Sequence, residues 1–331
     1  MIVSRTPFRV SLFGGGTDYP AWYLQHGGAV IGTAIDKYCY ISIRKLPPFF
    51  AHRHRIVYSI VENVREFSEI QHPAVRAVLT EMRVEDGVEI HHDGDLPARS
   101  GLGSSSSFTV GLINAVHALN GKMSTSRDLA LEAIRIEQDV IKENVGSQDQ
   151  IWAAYGGFNR VDFGRDGGFS VSPVIMPPER RDELRRSLIL AFTGVSRIAD
   201  SLARKQIENF DQRQVQLRSM GQMVDEAQAI LASPSRPLAD LGRLLHESWR
   251  LKRELAEGVT TDQIDTLYQA ARDAGALGGK VLGAGGGGFV LFFVDPARRK
   301  AVLETLKGLV TVNIKLGAEG SRIVVYEPQG L

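Results

Sequence analysis

The chain contains 331 residues, with 39 lysines and arginines, 38 aspartates and glutamates, one cysteine and 34 glycines. This length predicts about two domains, and 43% hydrophobic with 23% charged residues is the composition of an ordinary globular protein. A net charge of +1 excludes the basic surface of a typical nucleic-acid-binding protein. Average usage would give roughly 23 glycines, so the glycine surplus is the feature to explain.

The cellular location is predicted from cysteine usage and from the lack of apolar segments. A single cysteine, Cys39, excludes an internal disulfide and a cysteine-rich metal site. Residues 1–20 include Arg5, Arg9 and Asp18, so they lack the apolar core of a signal peptide. The longest uncharged stretch, 100–121, is rich in polar residues, which excludes a membrane helix. We therefore expect a cytoplasmic protein with neither a nucleic-acid nor a membrane partner.

The predicted elements follow one another from a β-rich first third to a mixed second half. Runs of β-branched and aromatic residues predict early strands at 10–13, 29–33, 38–43 and 56–61. Apolar residues at helical spacing predict a helix over 108–119 and another that begins with Ser126 as its cap and ends near Asn144. The later elements are expected as a strand at 187–192, helices at 199–231, 238–257 and 262–274, a strand at 289–294, a helix at 296–309, and strands near 310–314 and 322–326.

A proline-rich loop divides these elements into two groups. Pro173, Pro177 and Pro178 stand between the β-rich segment and the long helices. The expected fold is therefore α+β with two domains, at residues 1–180 and 181–331.

A glycine- and serine-rich segment runs from Pro97 to Ser107, immediately before the predicted helix over 108–119. Free N–H groups and the positive end of the dipole make such a helix terminus an anion site, and glycine permits close backbone approach. A plain serine-rich helix cap is the alternative, although two glycines and four serines exceed what capping requires. The segment is a candidate phosphate-binding loop.

The commonest phosphate-binding templates do not fit the other glycine clusters. The Gly-Lys pairs at 121–122 and 279–280 lack the upstream glycine and the following Ser or Thr of a Walker A loop. Residues 283–288 have the glycine spacing of a dinucleotide-binding loop, but a predicted strand at 289–294 follows where that motif begins a helix. A protein-kinase fold is excluded because the sequence has no His-Arg-Asp catalytic loop.

Three charged residues occupy positions that suggest burial or pairing. Glu137 lies three or four positions from apolar residues of its helix, so it would face inward and need a metal ion or a basic partner, unless it reaches solvent at the boundary. Asp149 lies within a capping-box pattern at 147–150, in the first turn of a helix, where it is either a functional ionised carboxylate or a surface residue that complements the dipole. Arg9 lies inside the apolar run 8–13, so we expect it to pair with an acid.

Three segments, in order, resemble the motifs of the GHMP kinases, the superfamily of galactokinase, homoserine kinase, mevalonate kinase and phosphomevalonate kinase. They are residues 6–19 (TPFRVSLFGGGTDY), 97–107 (PARSGLGSSSS) and 280–289 (KVLGAGGGGF). The resemblance implies a small-molecule kinase that uses ATP and Mg²⁺ and has the two-domain GHMP kinase fold. The N-terminal domain would be like the second domain of ribosomal protein S5 and the C-terminal domain ferredoxin-like, with ATP and substrate between them.

The resemblance also implies a role for each residue that matches a family motif. The loop around the ATP phosphates would consist of Pro97, Arg99, Ser100, Gly101, Leu102, Gly103, Ser104, Ser105, Ser106 and Ser107. Mg²⁺ would be held by Glu137 and by Ser105, or alternatively Ser104, while Asp149 would be the catalytic base paired with Arg9. Substrate contacts would come from Gly14, Gly15, Gly16, Thr17, Asp18, Gly285 and Gly286. A substrate that already carries a phosphate also needs a cation for it, and the candidates for this role are Arg197 and Lys280.

The first motif indicates which branch of the family the chain resembles. Galactokinases have Glu-His where this chain has Gly15-Gly16, and the form GGGTDYP is instead similar to the D-glycero-D-manno-heptose 7-phosphate kinases. That branch phosphorylates the anomeric C1 hydroxyl to give a 1,7-bisphosphate for nucleotide-activated heptose and surface polysaccharide. A kinase for fucose, galactose or another sugar is the alternative.

A non-catalytic ligand sensor on the same fold is a second alternative. We would expect a sensor to have lost some of Arg9, Ser105, Glu137 and Asp149, and all four are present. The expected ligands are thus ATP and a sugar phosphate, and association into a homo-oligomer stays open.

Overall fold

The fold, in a computed structural model that describes residues 1–194 and 199–329, contains two β-sheets. Within these residues the first sheet has the strands β1 (Ile2–Phe13), β2 (Gly28–Lys45), β3 (His54–Val57), β4 (Val61–Val64), β5 (Val88–Gly94), β6 (Phe158–Phe163), β7 (Phe169–Pro173) and β12 (Arg322–Tyr326). The second sheet has the strands β8 (Leu188–Phe192), β9 (Ala276–Val281), β10 (Phe289–Val294) and β11 (Val310–Val312). The predicted α+β class is confirmed.

Helices connect and cover the strands. They are α1 (Pro20–His26), α2 (Pro73–Glu81), α3 (Ser104–Leu119), α4 (Ser126–Arg135), α5 (Gln148–Tyr155), α6 (Pro178–Ser187), α7 (Ala199–Glu208), α8 (Gln214–Ala232), α9 (Ala239–Arg253), α10 (Asp262–Asp273) and α11 (Arg299–Thr305). The single helix predicted over 199–231 is wrong, because a 3₁₀ turn at Phe210–Gln212 divides it. The strand predicted at 56–61 is instead the hairpin of β3 and β4.

The helix that contains Glu137 begins and ends differently from the prediction. Its cap is Thr125, whose side chain accepts a hydrogen bond from the backbone N–H of Asp128, so the assignment of Ser126 as cap is wrong. After Arg135 the helix changes to a π-helix over Ile136–Val140. A π-turn inserts an extra residue and rotates the following side chains, and such turns are frequent at functional sites.

In the first sheet, β1 pairs with a strand on each side. Strand β2 pairs with β1 along most of its length, while its first half also pairs with β6 and its second half with β5. The other edge of β1 pairs with β12 from the end of the chain. Helices α3 and α5 pack against β1, which contains Arg9. The backbone of Arg9 is therefore held in place by neighbouring strands and helices.

The second sheet is antiparallel and packs on α9. One hydrophobic cluster extends across both sheets and includes Leu188, Leu190 and Phe293 together with core residues of the first sheet. The predicted division near residue 180 stays a prediction, and the terminal strand β12 lies in the first sheet. None of the helices in the described residues has the length and apolar character needed to cross a membrane.

Candidate active site

All three sequence motifs line one cleft of about 1130 Å³. Its lining also includes residues from α5 and α9. The motif residues on its surface include Arg9, Gly15, Gly16, Asp18, Arg99, Gly101, Gly103, Ser104, Ser105, Ser106, Lys280, Gly283 and Gly285. The fold thus brings together segments that lie more than 270 positions apart in the sequence.

Arg9 and Asp149 form a bidentate ion pair in this cleft. The Nε of Arg9 donates to Oδ1 of Asp149 at 2.8 Å, and a terminal nitrogen donates to Oδ2 at 2.6 Å. The other terminal nitrogen donates to the carbonyl of Gly101 at 2.6 Å. The Arg9 side chain is 5% exposed, whereas that of Asp149 is 25% exposed. The arginine therefore orients a carboxylate that remains accessible from the cleft.

The predicted phosphate loop ends at the N-terminus of α3. Its cap residue, Gly103, has a φ of 74° in the left-handed region, and no side chain in residues 1–194 or 199–329 caps the helix. The N–H groups of the first turn are therefore available for an anion, and the helix dipole favours negative charge there. An added Cβ on Gly103 would lie 3.2 Å from Cγ of Arg9 and 3.3 Å from Oδ2 of Asp149, so the loop packs directly on the ion pair.

The phosphate loop and the third motif are in backbone contact. Gly101 has a φ of 86°, and an added Cβ would lie 2.5 Å from the carbonyl oxygen of Leu282. An added Cβ on Gly283 would lie 2.7 Å from the Cα of Gly101. The N–H of Phe289 donates to the carbonyl of Ser100 at 2.9 Å. Only glycine fits at these two contacts, which join the two halves of the chain at the cleft.

Four residues of the predicted phosphate loop lie outside the cleft lining. Ser100 is buried and its hydroxyl donates to the carbonyl of Pro97 at 2.7 Å. Leu102 belongs to the hydrophobic core, and the Ser107 hydroxyl donates to the carbonyl of Pro7 at 2.8 Å. These residues shape the loop, while its glycines and Ser104 to Ser106 face the cleft.

Glu137 is the inward-facing carboxylate that the sequence predicted, with 1% exposure. Its Oε2 accepts hydrogen bonds from the Ser106 hydroxyl at 2.8 Å and from the Gln150 amide. Its Oε1 is buried and has no partner among the described residues. Burial raises the pKa of Glu137 to about 7.

This arrangement fits a hard cation beside the phosphate loop. A buried carboxylate oxygen without a donor next to a serine hydroxyl offers the oxygen ligands that Mg²⁺ prefers. The hydroxyl in contact with Glu137 belongs to Ser106, whereas the side chain of the predicted ligand Ser105 is exposed. Within residues 1–194 and 199–329 no group of three or more acidic, histidine or cysteine residues could hold a metal, so phosphate and water oxygens would complete such a site.

The capping box predicted at the start of α5 is wrong. Ser147 precedes the helix, but its side chain does not cap it. Its hydroxyl instead contacts the amide of Gln138 and the hydroxyl of Tyr23. Gln150 turns inward to Glu137 rather than back to the helix terminus. Asp149 nevertheless lies in the first turn, as expected.

The first motif divides into residues that line the cleft and residues that support them. Asp18 is 1% exposed and accepts hydrogen bonds from the Gly16 N–H at 2.9 Å and the Gln148 amide at 2.8 Å. Burial raises the pKa of Asp18 above its ordinary value. The Thr17 hydroxyl donates to the carbonyls of Gly14 and of Ala29 in β2. Gly14 and Thr17 therefore fix the turn, and both lie outside the cleft lining.

In the third motif, Gly285 reaches the cleft and Gly286 supports it. The N–H of Gly286 donates to the carbonyl of Val259 at 2.8 Å. An added Cβ on Gly285 would lie 2.6 Å from the same carbonyl oxygen. The loop is further held by the amide of Gln206, which donates to the carbonyl of Ala284 at 2.7 Å.

Lys280 lies in the cleft, buried in β9, and its Nζ donates to the carbonyl of Leu12 at 3.0 Å. The other predicted phosphate ligand, Arg197, lies outside the described residues. A second buried lysine, Lys252 of α9, was missed by sequence reasoning. It follows Leu245 and Trp249 at helical spacing on the buried face of α9, which is the same signal that identified Glu137.

Another part of the cleft is aromatic and was also missed. His72 stacks on Phe108 with ring centroids 4.5 Å apart, and His92 meets the same ring edge-on at 5.1 Å. Tyr58 lies against His72 at 4.9 Å. Burial lowers the pKa of His72 to about 4, so this ring is neutral. Flat, uncharged rings beside a phosphate loop form a suitable surface for a nucleobase.

Comparison with known proteins places this geometry in a family. Residues 61–157 match the GHMP kinases N terminal domain, and residues 223–309 match the GHMP kinases C terminal model. The chain is 28% identical over 317 residues to a D-glycero-alpha-D-manno-heptose 7-phosphate kinase of Campylobacter jejuni, covering 92% of this chain and 93% of that one. It is 30% identical to a mevalonate kinase of Thermococcus sibiricus over 76% of this chain and 73% of that one.

Two solved structures with a similar fold are also sugar kinases by their names. The crystal structure of a D-glycero-D-manno-heptose 1-phosphate kinase from Bacteroides thetaiotaomicron superposes with a TM-score of 0.81 over 99% of this chain and 100% of that one, at 24% identity. A galactokinase of Lactococcus lactis superposes with a TM-score of 0.73 over 97% and 94% of the two chains, at 19% identity. The two domain matches and these relatives show that the chain belongs to the GHMP kinases and is a phosphotransferase with an alcohol group as acceptor.

Proposed function

We propose that this chain transfers the γ-phosphate of ATP, with Mg²⁺ as cofactor, to the anomeric C1 hydroxyl of D-glycero-D-manno-heptose 7-phosphate. The main support is the bidentate pair of Arg9, which belongs to the first motif, and Asp149, on which the phosphate loop packs at Gly103. Similarity to the Campylobacter heptose 7-phosphate kinase over most of both chains supports the choice of sugar. The product would be the 1,7-bisphosphate.

ATP would lie along the phosphate loop. The N–H groups at the start of α3, next to Gly103, would bind the phosphates, and the aromatic part of the cleft would take the adenine. Glu137, with Ser106 or the predicted Ser105, would hold Mg²⁺. When bound, the metal supplies positive charge that neutralises the phosphate oxygens.

Asp149 would act as the general base. The carboxylate uses one lone pair of each oxygen for Arg9, so lone pairs remain for the C1 hydroxyl on the accessible side. Asp149 accepts the hydroxyl proton as the oxygen attacks the γ-phosphorus in line. Arg9 fixes the direction of the carboxylate, so much of the rate comes from positioning and electrostatics.

The sugar would occupy the space next to the first motif. Asp18, held by Gly16 and Gln148, would accept a hydrogen bond from a sugar hydroxyl. Lys280 or Arg197 would contact the phosphate already on the substrate. Because ATP is the donor and Cys39 is an unpaired buried thiol, we place the reaction in the cytoplasm. The net charge of +1 is the reason to expect no nucleic-acid partner, and the substrates are small molecules rather than a membrane. Whether the enzyme is a homo-oligomer is left open.

A panel assay of ATP consumption tests the proposal. Heptose 7-phosphate should give a kcat/KM at least tenfold above those of free heptose, heptose 1-phosphate, fucose, galactose and mevalonate, because the first motif has the heptose form. Phosphorus NMR should place the new phosphate on C1. Preference for heptose 1-phosphate, the substrate in the name of the Bacteroides relative, or for an unphosphorylated sugar would refute the assignment.

A further inference from the structure

Two lysines of the cleft are buried without a carboxylate partner. Lys252 is 6% exposed and Lys280 is 2% exposed. The Nζ of Lys252 donates to the carbonyls of Val281, at 3.0 Å, and Gly283, while that of Lys280 donates to the carbonyl of Leu12 at 3.0 Å. In the part of the chain that the structure describes, no carboxylate oxygen lies within 4.0 Å of either nitrogen.

The free protein is a poor environment for these two charges. Removing an ammonium group from water costs several kcal/mol unless a counterion replaces the solvent. Burial, the neighbouring lysine and Arg9 lower the pKa of Lys252 well below its ordinary value, and burial and Arg9 lower that of Lys280 to about 7. An anion bound in the cleft would raise the pKa of both lysines and so favour their charged forms.

The nearby acids are already engaged. Asp149 accepts two hydrogen bonds from Arg9, and Asp18 accepts from Gly16 and Gln148. Among the residues that the structure describes, three basic side chains, Arg9, Lys252 and Lys280, therefore share two carboxylates in this part of the cleft. An ammonium group has three donors, so by this count one remains on Lys252 and two remain on Lys280.

We infer that Lys252 and Lys280 together form a phosphoryl-binding site in the cleft. A phosphate dianion supplies both the missing charge and acceptors for the remaining N–H donors. Lys252 donates a hydrogen bond to the carbonyl of Gly283, and Gly283 packs against Gly101 of the phosphate loop. The bound phosphoryl group therefore lies where the phosphate loop meets the third motif. It comes either from the γ-phosphate of ATP or from the phosphate of the acceptor, and only the second source rests on the proposed function.

Binding measurements on Lys252→Met, Lys280→Met and the exposed control Lys300→Met test the pair. Calorimetry compares ATP with ADP, heptose 7-phosphate with heptose, and inorganic phosphate alone. If the γ-phosphate is the ligand, the first two variants lose at least tenfold in ATP affinity and less than twofold in ADP affinity. If the acceptor phosphate is the ligand, the selective loss falls on heptose 7-phosphate. In either case inorganic phosphate binds more weakly than to wild type.

The proposal is overturned if both site variants bind inorganic phosphate as wild type does. It is also overturned if the variants lose as much affinity for ADP as for ATP, and as much for heptose as for heptose 7-phosphate. A wild-type protein that binds ATP but not heptose 7-phosphate would instead refute the proposed substrate, and the ATP and phosphate comparisons would still decide the role of the lysines.

A stability measurement separates a ligand role from a structural one. Lys280→Met removes a buried charge and only one hydrogen bond, so the melting temperature of the free protein should stay equal or rise while phosphate affinity falls. Lys280→Arg keeps the charge and should recover part of the affinity for the phosphorylated ligand. A variant Lys280→Met that is markedly less stable and equally weak for all ligands would show that the lysine only supports the fold.

Discussion

Replacing Asp149 by asparagine removes the charge and the basic oxygen while keeping the shape of the side chain. The bidentate contact is lost, because the new NH₂ group faces an Arg9 donor at the position where Oδ2 now accepts at 2.6 Å. The Arg9 side chain is 5% exposed, and it would stay charged after losing one of its two hydrogen bonds to residue 149 and the negative charge there. Because Asp149 itself is 25% exposed, we expect a loss of unfolding free energy of only about 2 kcal/mol.

The loss of activity should be much larger than the loss of stability. A positioned general base contributes about 10²–10⁴ in rate, or about 3–5 kcal/mol of activation free energy. Turnover of heptose 7-phosphate by Asp149→Asn is measured well below its melting temperature, with the exposed Asp211→Asn as the matched control. The double variant Arg9→Met/Asp149→Asn should recover stability relative to Asp149→Asn but not activity, because it no longer buries an unpaired guanidinium.

High residual activity in Asp149→Asn would exclude the role of Asp149 as base. If folded Asp149→Asn kept kcat within tenfold of wild type, the carboxylate would not be the base. Its pairing with Arg9 would then be a structural contact between β1 and α5.

Three further predictions concern the loops and the acids around this pair. Gly101→Ala should lower kcat at least tenfold, and a crystal structure should show the third motif displaced, since the new Cβ meets the Leu282 carbonyl oxygen at 2.5 Å; unchanged kinetics would contradict the close contact. Asp18→Asn should raise the KM for the sugar roughly 10- to 100-fold and leave the KM for ATP unchanged, because the Gln148 amide would face a second donor; a change in the KM for ATP instead would remove Asp18 from sugar binding. Glu137 has a folded-state pKa of about 7 against 4.5 in the unfolded chain, so its contribution to stability is present at low pH and is lost as pH rises towards 7. Mg²⁺ binds the ionised form, so the rise in melting temperature on adding Mg²⁺ should grow between about pH 5 and pH 8 in wild type and vanish in Glu137→Gln; an equal rise in both proteins would exclude this metal site.

Sequence patterns predicted the functional residues that carry a charge within an apolar segment. Glu137 and Arg9 stand out because each interrupts an apolar run, and both are buried and paired in the structure. Lys252 interrupts the buried face of α9 in the same way, but no motif surrounds it. The aromatic part of the cleft was missed because Tyr58, His92 and Phe108 come from separate elements that meet only in the fold.

Local pattern failed where tertiary contacts compete with it. The segment 147–150 has the composition of a capping box, yet Gln150 donates to a buried carboxylate, which is a stronger partner than a helix terminus that solvent can satisfy. The helix predicted over 199–231 has continuous helical periodicity, and only the packing of Phe210 in a small core with Trp22 and Leu217 shows why the chain turns there. Helix periodicity reports which residues are apolar, but not which neighbour they will contact.

The pairing of β12 with β1 has a consequence for how the enzyme can be made and altered. Strand β1 contains Arg9, and the second edge of its first residues, Ile2 to Arg5, pairs with residues 322–326, more than 300 positions away in the sequence. Contacts of such long sequence separation form slowly, so this edge of β1 stays unpaired until late in folding. Truncation before residue 322, or a fusion that draws this strand away, should expose that edge and favour aggregation, although no residue of the cleft is removed.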